Sequence, residues 1–147
     1  VTNLRQVMKD EGVKCNCIRC REIKNQKAGT KNYKLKIIEY NASKGEEYFI
    51  QATTKDNKLL GFCRLRLSSS RGAMIRELHV YGLLTSVGKH GNVQHSGLGQ
   101  RLVEKAEKIA LKNGFEEMSV ISGIGVRNYY RKSGYRLNNT YMTKNLR

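Results

Sequence analysis

The sequence has no run of about 18 apolar residues, so no stretch of it is long enough to cross a membrane as a helix. It also lacks a secretory h-region, and the expected location is inside the cell, in the cytoplasm. Acidic residues are scarce. Asp and Glu total 12 against 28 Lys and Arg, giving a net charge of +16. That scarcity argues against a thermophile's surface, where Glu rises together with Lys. It points instead to attraction toward a polyanion or several phosphates. Proline is absent altogether, and neither account of the charge explains why. Cysteine is confined to Cys15, Cys17, Cys20 and Cys63, with no sign of the oxidising compartment that a disulfide framework requires.

What remains is an ordinary globular composition. The chain has 147 residues, 39% hydrophobic and 27% charged, which suits one core. Leu4, Val7 and Met8 recur at helical spacing and predict a short helix ending near Gly12. The cysteine segment then runs into a polar, basic stretch, NQKAGTKN, that reads as a linker. From Tyr33 the pattern alternates. YKLKIIEY, EYFIQATT, LLGFCRLRLS and AMIRELHVYG are separated by the turn-rich NASKGE, KDNK and SSRG. This predicts an antiparallel meander.

A loop without periodicity covers 83–95. Leu98, Leu102, Val103, Ala106, Ile109 and Ala110 then mark one face of a helix ending near Asn113 and Gly114. Glu104 and Lys108 are placed on it as an i,i+4 pair. MSVISG reads as a buried strand, VRNYYRKS as a brief helix stopped by Gly134, and YRLNNTYMTKNL as a hairpin turning at Asn138 and Asn139. No internal repeat is present. The expected class is α+β: a mixed, mainly antiparallel sheet with packed helices, one parallel right-handed crossover, and a small Cys-rich segment in front. The expected division is 1–31 for the helix and Cys-rich segment and 32–147 for the sheet domain.

Gln94, Gly97 and Gly99 fit the pattern Q/R-x-x-G-x-G/A between a strand and a helix. Glycines there keep Cβ atoms away from a bound anion while the first helical amides point at it. Incidental glycines in a flexible loop would look the same. Tyr129 and Tyr130 open a short helix, and a phenol can donate a proton to a leaving thiolate; packing roles explain tyrosines equally well.

The stretch 74–135 resembles the GNAT acetyltransferase superfamily through Gln94-x-x-Gly97-x-Gly99 and through Tyr130-Arg131-Lys132-Ser133-Gly134-Tyr135. CNCIRCREI, ELHVYG, QHSGLG and ISGIGVRNYYRKSGY together are similar to the Elongator catalytic subunit family, tRNA wobble-uridine modifying enzymes. The resemblance implies an acyltransferase domain that binds acetyl-CoA and serves construction of the carbon-5 side chain of uridine 34. It places the pantetheine arm on the backbone of Glu77, Leu78, His79, Val80 and Tyr81. The pyrophosphate falls on Ser96, Gly97, Leu98 and Gly99 with Gln94 beside them. Asn128 and Tyr130 also fall near the cofactor, and Tyr129 and Tyr130 near the thioester.

The resemblance further implies that these residues correspond to the C-terminal region of such a protein. The family's radical S-adenosylmethionine domain, with its iron–sulfur cluster, is expected to lie outside these residues, since no C-x3-C-x2-C triplet occurs among them. The full reaction would need it as partner. Cys15, Cys17 and Cys20 resemble three ligands of a zinc site; the fourth is open between Cys63, a histidine, water and a residue elsewhere. His79 is expected to pack or face solvent, His90 lies in the loop, and His95 is expected beside RNA or cofactor.

Basic residues around the cysteines (Lys14, Arg19, Arg21, Lys24, Lys27, Lys31, Lys34, Lys36) and around the tyrosines (Arg127, Arg131, Lys132, Arg136) are expected to meet tRNA. The expected first two strands are joined by NASKGE alone, which leaves the acceptor side open and suits a large RNA better than a small amine. Two other functions stay in view. One is a stand-alone protein lysine N-acetyltransferase. The other is a basic RNA-binding module with a vestigial cofactor site.

Overall fold

The computed structural model describes residues 3–23, 33–81 and 97–147. The meander forms as the alternation predicts. Strands β1 (Lys34–Ala42), β2 (Gly45–Thr53), β3 (Leu59–Ser68) and β4 (Gly72–Val80) pair antiparallel in sequence order. Helix α3 (Leu98–Lys112) then leads to β5 (Glu117–Val120), and the chain closes with α4 (Arg127–Lys132), β6 (Arg136–Asn138) and β7 (Tyr141–Asn145). The sheet order is β1-β2-β3-β4-β5-β7-β6. β4 and β5 are parallel, and the other neighbours are antiparallel.

Ser43 and Lys44 join β1 to β2 with φ of 47° and 61°. Two left-handed residues make a tight hairpin whose twist matches its strands. No helix therefore intervenes between these strands. Asn139, at φ 53°, turns β6 into β7 where the Asn-Asn pair predicts it.

Alternation sorts the two faces of the sheet. Tyr48, Ile50 and Ala52 of β2, Cys63, Leu65 and Leu67 of β3, and Ala73 and Ile75 of β4 enter the core. Helix α3 covers them with Leu98, Leu102, Val103, Ala106 and Ala110, all buried. Ile109 is only partly buried at the margin of that stripe. Glu104 takes a hydrogen bond from Gln100 Nε2 at 3.1 Å rather than an ion pair with Lys108.

In front of the sheet lie α1 (Leu4–Asp10) and α2 (Ile18–Arg21). The α2 end docks on the β2–β3 turn: Ile23 N donates to Leu59 O at 3.0 Å, and Arg21 Nη2 to Gln51 Oε1 at 2.5 Å. Gln51 lies on the face opposite α3. The expected boundary at residue 31 and the loop 83–95 lie outside the described residues.

Leu102 is fully buried and Leu111, on the same helix, is 41% exposed. Leu102→Ala should cost about 2–5 kcal/mol through lost transfer energy and a cavity. Leu111→Ala should stay within about 0.5–1 kcal/mol. Urea unfolding followed by circular dichroism reads both values.

Candidate functional site

The parallel ladder between β4 and β5 is only three residues long. Ala73, Met74 and Ile75 face Met118, Ser119 and Val120, and Ile121 N adds a last hydrogen bond to Ile75 O at 3.1 Å. Beyond Ile75 the two strands part. β4 continues through Glu77, Leu78, His79 and Val80, which among the described residues pair only with Arg64, Cys63, Phe62 and Gly61 of β3. At the parting point β4 carries a bulge. Arg64 faces Glu77 and Leu65 faces Ile75, so Arg76 is the extra residue. In a strand paired on one side, alternate N–H and C=O groups point to the other. The segment 77–80 thus offers main-chain donors and acceptors to the opening between β4 and β5.

The N-terminus of α3 faces the same opening. Its cap residue Gly97 has φ 110°, a conformation side chains oppose. Among the described residues no side chain caps the helix, and its first turn holds no acidic residue. The first amides of a helix have no partner within it. Here they meet the positive end of a 15-residue helix dipole. That arrangement favours an anion.

Gly99 brings the parts together. A Cβ on it would stand 2.6 Å from the Tyr129 hydroxyl and 3.5 Å from Val80 Cγ2. The bare residue therefore lets the phenol of α4 rest on the first turn of α3 beside the end of β4. Tyr129 is 40% exposed, whereas Tyr130 is 5% exposed and meets it edge to face at 5.2 Å. Burial, followed by the nearby Cys63 thiol, raises both phenols above their ordinary pKa. Both stay protonated at neutral pH and can donate.

A polar lock holds α4 in place. Glu107 of α3 accepts from the Tyr135 hydroxyl at 2.7 Å and from Lys144 Nζ of β7 at 3.0 Å. Tyr135 packs on Tyr130 at 5.7 Å.

The other expected residues fall as follows. His79 is exposed and stacks at 5.9 Å on Phe62, the packed or surface role expected of it. Glu77 pairs with Arg64 at 3.5 Å and lies near the surface. The Asn128 side chain accepts from Arg131 Nη1 at 2.6 Å. Gln94, Ser96, His90 and His95 lie outside the described residues, as do Lys24, Lys27 and Lys31. Arg21 is committed to Gln51 and to Asn57 O, so it differs from the exposed Lys14, Arg19, Lys34 and Lys36 around it.

The sulfurs of Cys15, Cys17 and Cys20 lie within 4.8 Å of one another. Tetrahedral zinc–thiolate geometry needs sulfurs about 3.8 Å apart, so the three fit such an ion with small adjustment. A hydrogen bond from the Cys20 backbone, then the neighbouring thiols, lower the Cys17 thiol to about 7, which favours the thiolate that metals take. Cys63 does not join them. Strand alternation turns it into the core on the α3 face, and burial raises its thiol to about 12. Among the described residues no helix is long and apolar enough to cross a membrane.

The profile of the acetyltransferase (GNAT) family matches residues 10–135. A tRNA uridine(34) acetyltransferase of Dehalococcoides mccartyi is 36% identical over 162 aligned residues, covering 97% of this chain and 35% of that protein. The Elongator complex protein 3 of Danio rerio is 39% identical over 165 aligned residues, 98% of this chain and 30% of that protein. Among solved structures, the archaeal Elp3 of Methanocaldococcus infernus with an N-terminal deletion superposes with a TM-score of 0.82 at 34% identity. That match covers 97% of this chain and 38% of the other. The chain thus spans about a third of the length of these relatives.

The contact at Gly99 makes a test independent of any ligand. In the native background Gly99→Ala must displace the Tyr129 hydroxyl. In a Tyr129→Phe background the same change should be neutral or stabilising by up to about 1 kcal/mol, since Ala is the better helix former. A double-mutant cycle by urea unfolding should give a coupling of about 0.5 kcal/mol or more. Additive effects would show that the phenol does not sit there.

Proposed function

The chain belongs to the acetyltransferase (GNAT) family, and on that premise we propose that it is the acetyl-CoA-binding domain of a tRNA wobble-uridine modifying enzyme. The observation that carries this reading is the N-terminus of α3, uncapped among the described residues, beside the edge of β4 that no described strand pairs. The main chain of 77–81 would hold the pantetheine arm, as a short added strand. The amides from Gly97 to Gly99, together with Ser96 and Gln94, would take the pyrophosphate. The thioester would then lie near Tyr129 and Tyr130, whose protonated phenols can hydrogen-bond the sulfur and protonate it as it leaves. When bound, acetyl-CoA supplies the activated acetyl group.

The acceptor we infer is RNA. The names of the relatives at 36–39% identity support it. So does the +16 charge of the sequence. Construction of the carbon-5 side chain of uridine 34 would also need a radical S-adenosylmethionine domain and its iron–sulfur cluster, to which this chain contributes no ligands that fit the family's triplet. The two-residue turn between β1 and β2 leaves no helices to enclose a small amine, which disfavours stand-alone lysine acetylation. Cys15, Cys17 and Cys20 would hold zinc with a fourth ligand from elsewhere, fastening the segment that docks on the β2–β3 turn. We place the domain division near residue 31 and the protein in the cytoplasm.

Calorimetry should detect acetyl-CoA binding, and Gly97→Glu or Gly99→Glu should weaken it about tenfold or more by setting a carboxylate against the pyrophosphate. Unaltered affinity in folded variants would refute the loop assignment. A bare RNA module would bind RNA and no coenzyme; a lysine acetyltransferase would turn over peptide amines with this chain alone. Zinc titration should saturate near one equivalent with proton release. Cys17→Ser should lower the affinity about tenfold or more, and stoichiometry near zero would rule the site out.

A further inference from the structure

On the face of the sheet opposite α3, a cavity of about 490 Å³ opens between the β1–β2 turn, the β3–β4 turn and the end of β5. Lys44, Arg66, Arg71 and Arg76 supply its charge, and Ile121 and Tyr141 its apolar wall. These six residues come from six separate strands and turns. Nothing in the coenzyme site uses them.

One carboxylate organises these cations. Glu47 is 2% exposed, and its Oε1 accepts from Arg66 Nη1 at 2.9 Å and from Arg76 Nη1 at 2.8 Å. Its Oε2 is buried with no hydrogen-bond partner among the described residues. Burial would raise this carboxyl, but the two guanidinium hydrogen bonds outweigh it and hold the group below the ordinary range. The carboxylate is therefore charged at neutral pH and hidden behind the arginines. Arg66 is further pinned by the carbonyls of Ala42 and Ser43, at 3.0 and 2.7 Å. It serves as a post. Among the described residues Arg76 commits only Nη1, to Glu47, and Arg71 and Lys44 have no carboxylate partner. Among the described residues, an incoming anion meets Arg76, steadied by Glu47, and the exposed Lys44 and Arg71, with no acid in the lining.

Position gives the cavity a role. Arg76 is the bulge residue of β4, one step past Ile75, where the parallel ladder ends. Ile121 stands at the matching end of β5. The cavity thus borders the same parting of strands that receives the coenzyme on the α3 side.

We propose that this cavity is a subsite for one nucleotide of single-stranded RNA on the acceptor side of the sheet, its phosphate on Arg71, Arg76 and Lys44 and its base or ribose against Tyr141 and Ile121. The inference rests on the RNA reading of the previous subsection. A cavity of this volume suits a small ligand. Guanidinium forks suit phosphate oxygens. An exposed tyrosine offers a ring on which a base can stack, which an acidic peptide would not need.

The test is fluorescence anisotropy of a labelled RNA hairpin with an unpaired loop, titrated with this chain over a range of salt. Lys44→Ala and Arg71→Ala leave Glu47 paired and lie at exposed turn positions. Their combination should weaken RNA binding about tenfold and lower the slope of log affinity against log salt by about 1. Acetyl-CoA affinity should not change. Tyr141→Ala should weaken RNA binding about fivefold or more. Native RNA affinity and slope in the double variant would overturn the subsite while leaving the RNA reading intact. Coenzyme binding with no RNA binding by the unaltered chain would overturn both. Displacement of the hairpin by polyglutamate from the unaltered chain, at the concentration where RNA competes, would assign the cavity to an acidic protein and overturn the nucleotide.

Discussion

The parallel contact between β4 and β5 lasts for three residues and then stops. Most of the site's geometry descends from that limit. A longer ladder would occupy the main-chain groups of 77–80 with neighbouring strand. The short one leaves them paired on the β3 side only. Arg76 marks the transition as a bulge, and a bulge bends the strand that carries it. The opening so formed has the start of α3 on one face and a basic cavity on the other.

Charge and burial then divide the work between those faces. On the α3 side the charges are mostly partial ones, from helix amides and a dipole unopposed by any acid in the first turn. On the other side the charges are full, from arginines steadied by Glu47. Also on the α3 side stand two phenols that burial keeps protonated. Their helix is held to α3 and β7 through Glu107, whose carboxylate ties Tyr135 to Lys144. Placement of Tyr129 and Tyr130 therefore depends on a contact that no part of the opening itself supplies.

Much of this was legible in the sequence, for local reasons. The stripe from Leu98 to Ala110 repeats at helical spacing because one side of α3 must be buried. The alternation in LLGFCRLRLS follows from one face of β3 meeting α3 and the other carrying Phe62, Arg64 and Arg66. Asn138-Asn139 turns a hairpin because asparagine tolerates left-handed backbone. Gly97 and Gly99 stood out as costly residues at a helix start. Their two roles, though, are different: one takes a positive φ, the other admits a tyrosine. The second needs a contact across 30 positions and could not be read from spacing.

The same reason hides the basic cavity. Glu47 meets Arg66 and Arg76 across 19 and 29 positions, and in sequence the three look like ordinary surface charge. The bulge at Arg76 is a property of register between two strands. Cys63 looked available as a metal ligand until its face of β3 was known. Gln94 and Ser96, taken from the motif alone, fall outside the described residues.

The central claim is that coenzyme binds as an added strand on the open edge of β4 with its phosphates on the start of α3. Amide hydrogen exchange with and without acetyl-CoA tests it most directly. Slowed exchange concentrated at residues 77–81 and 94–100 is the predicted result. Binding that leaves those amides unprotected, or protects a different surface, would contradict it.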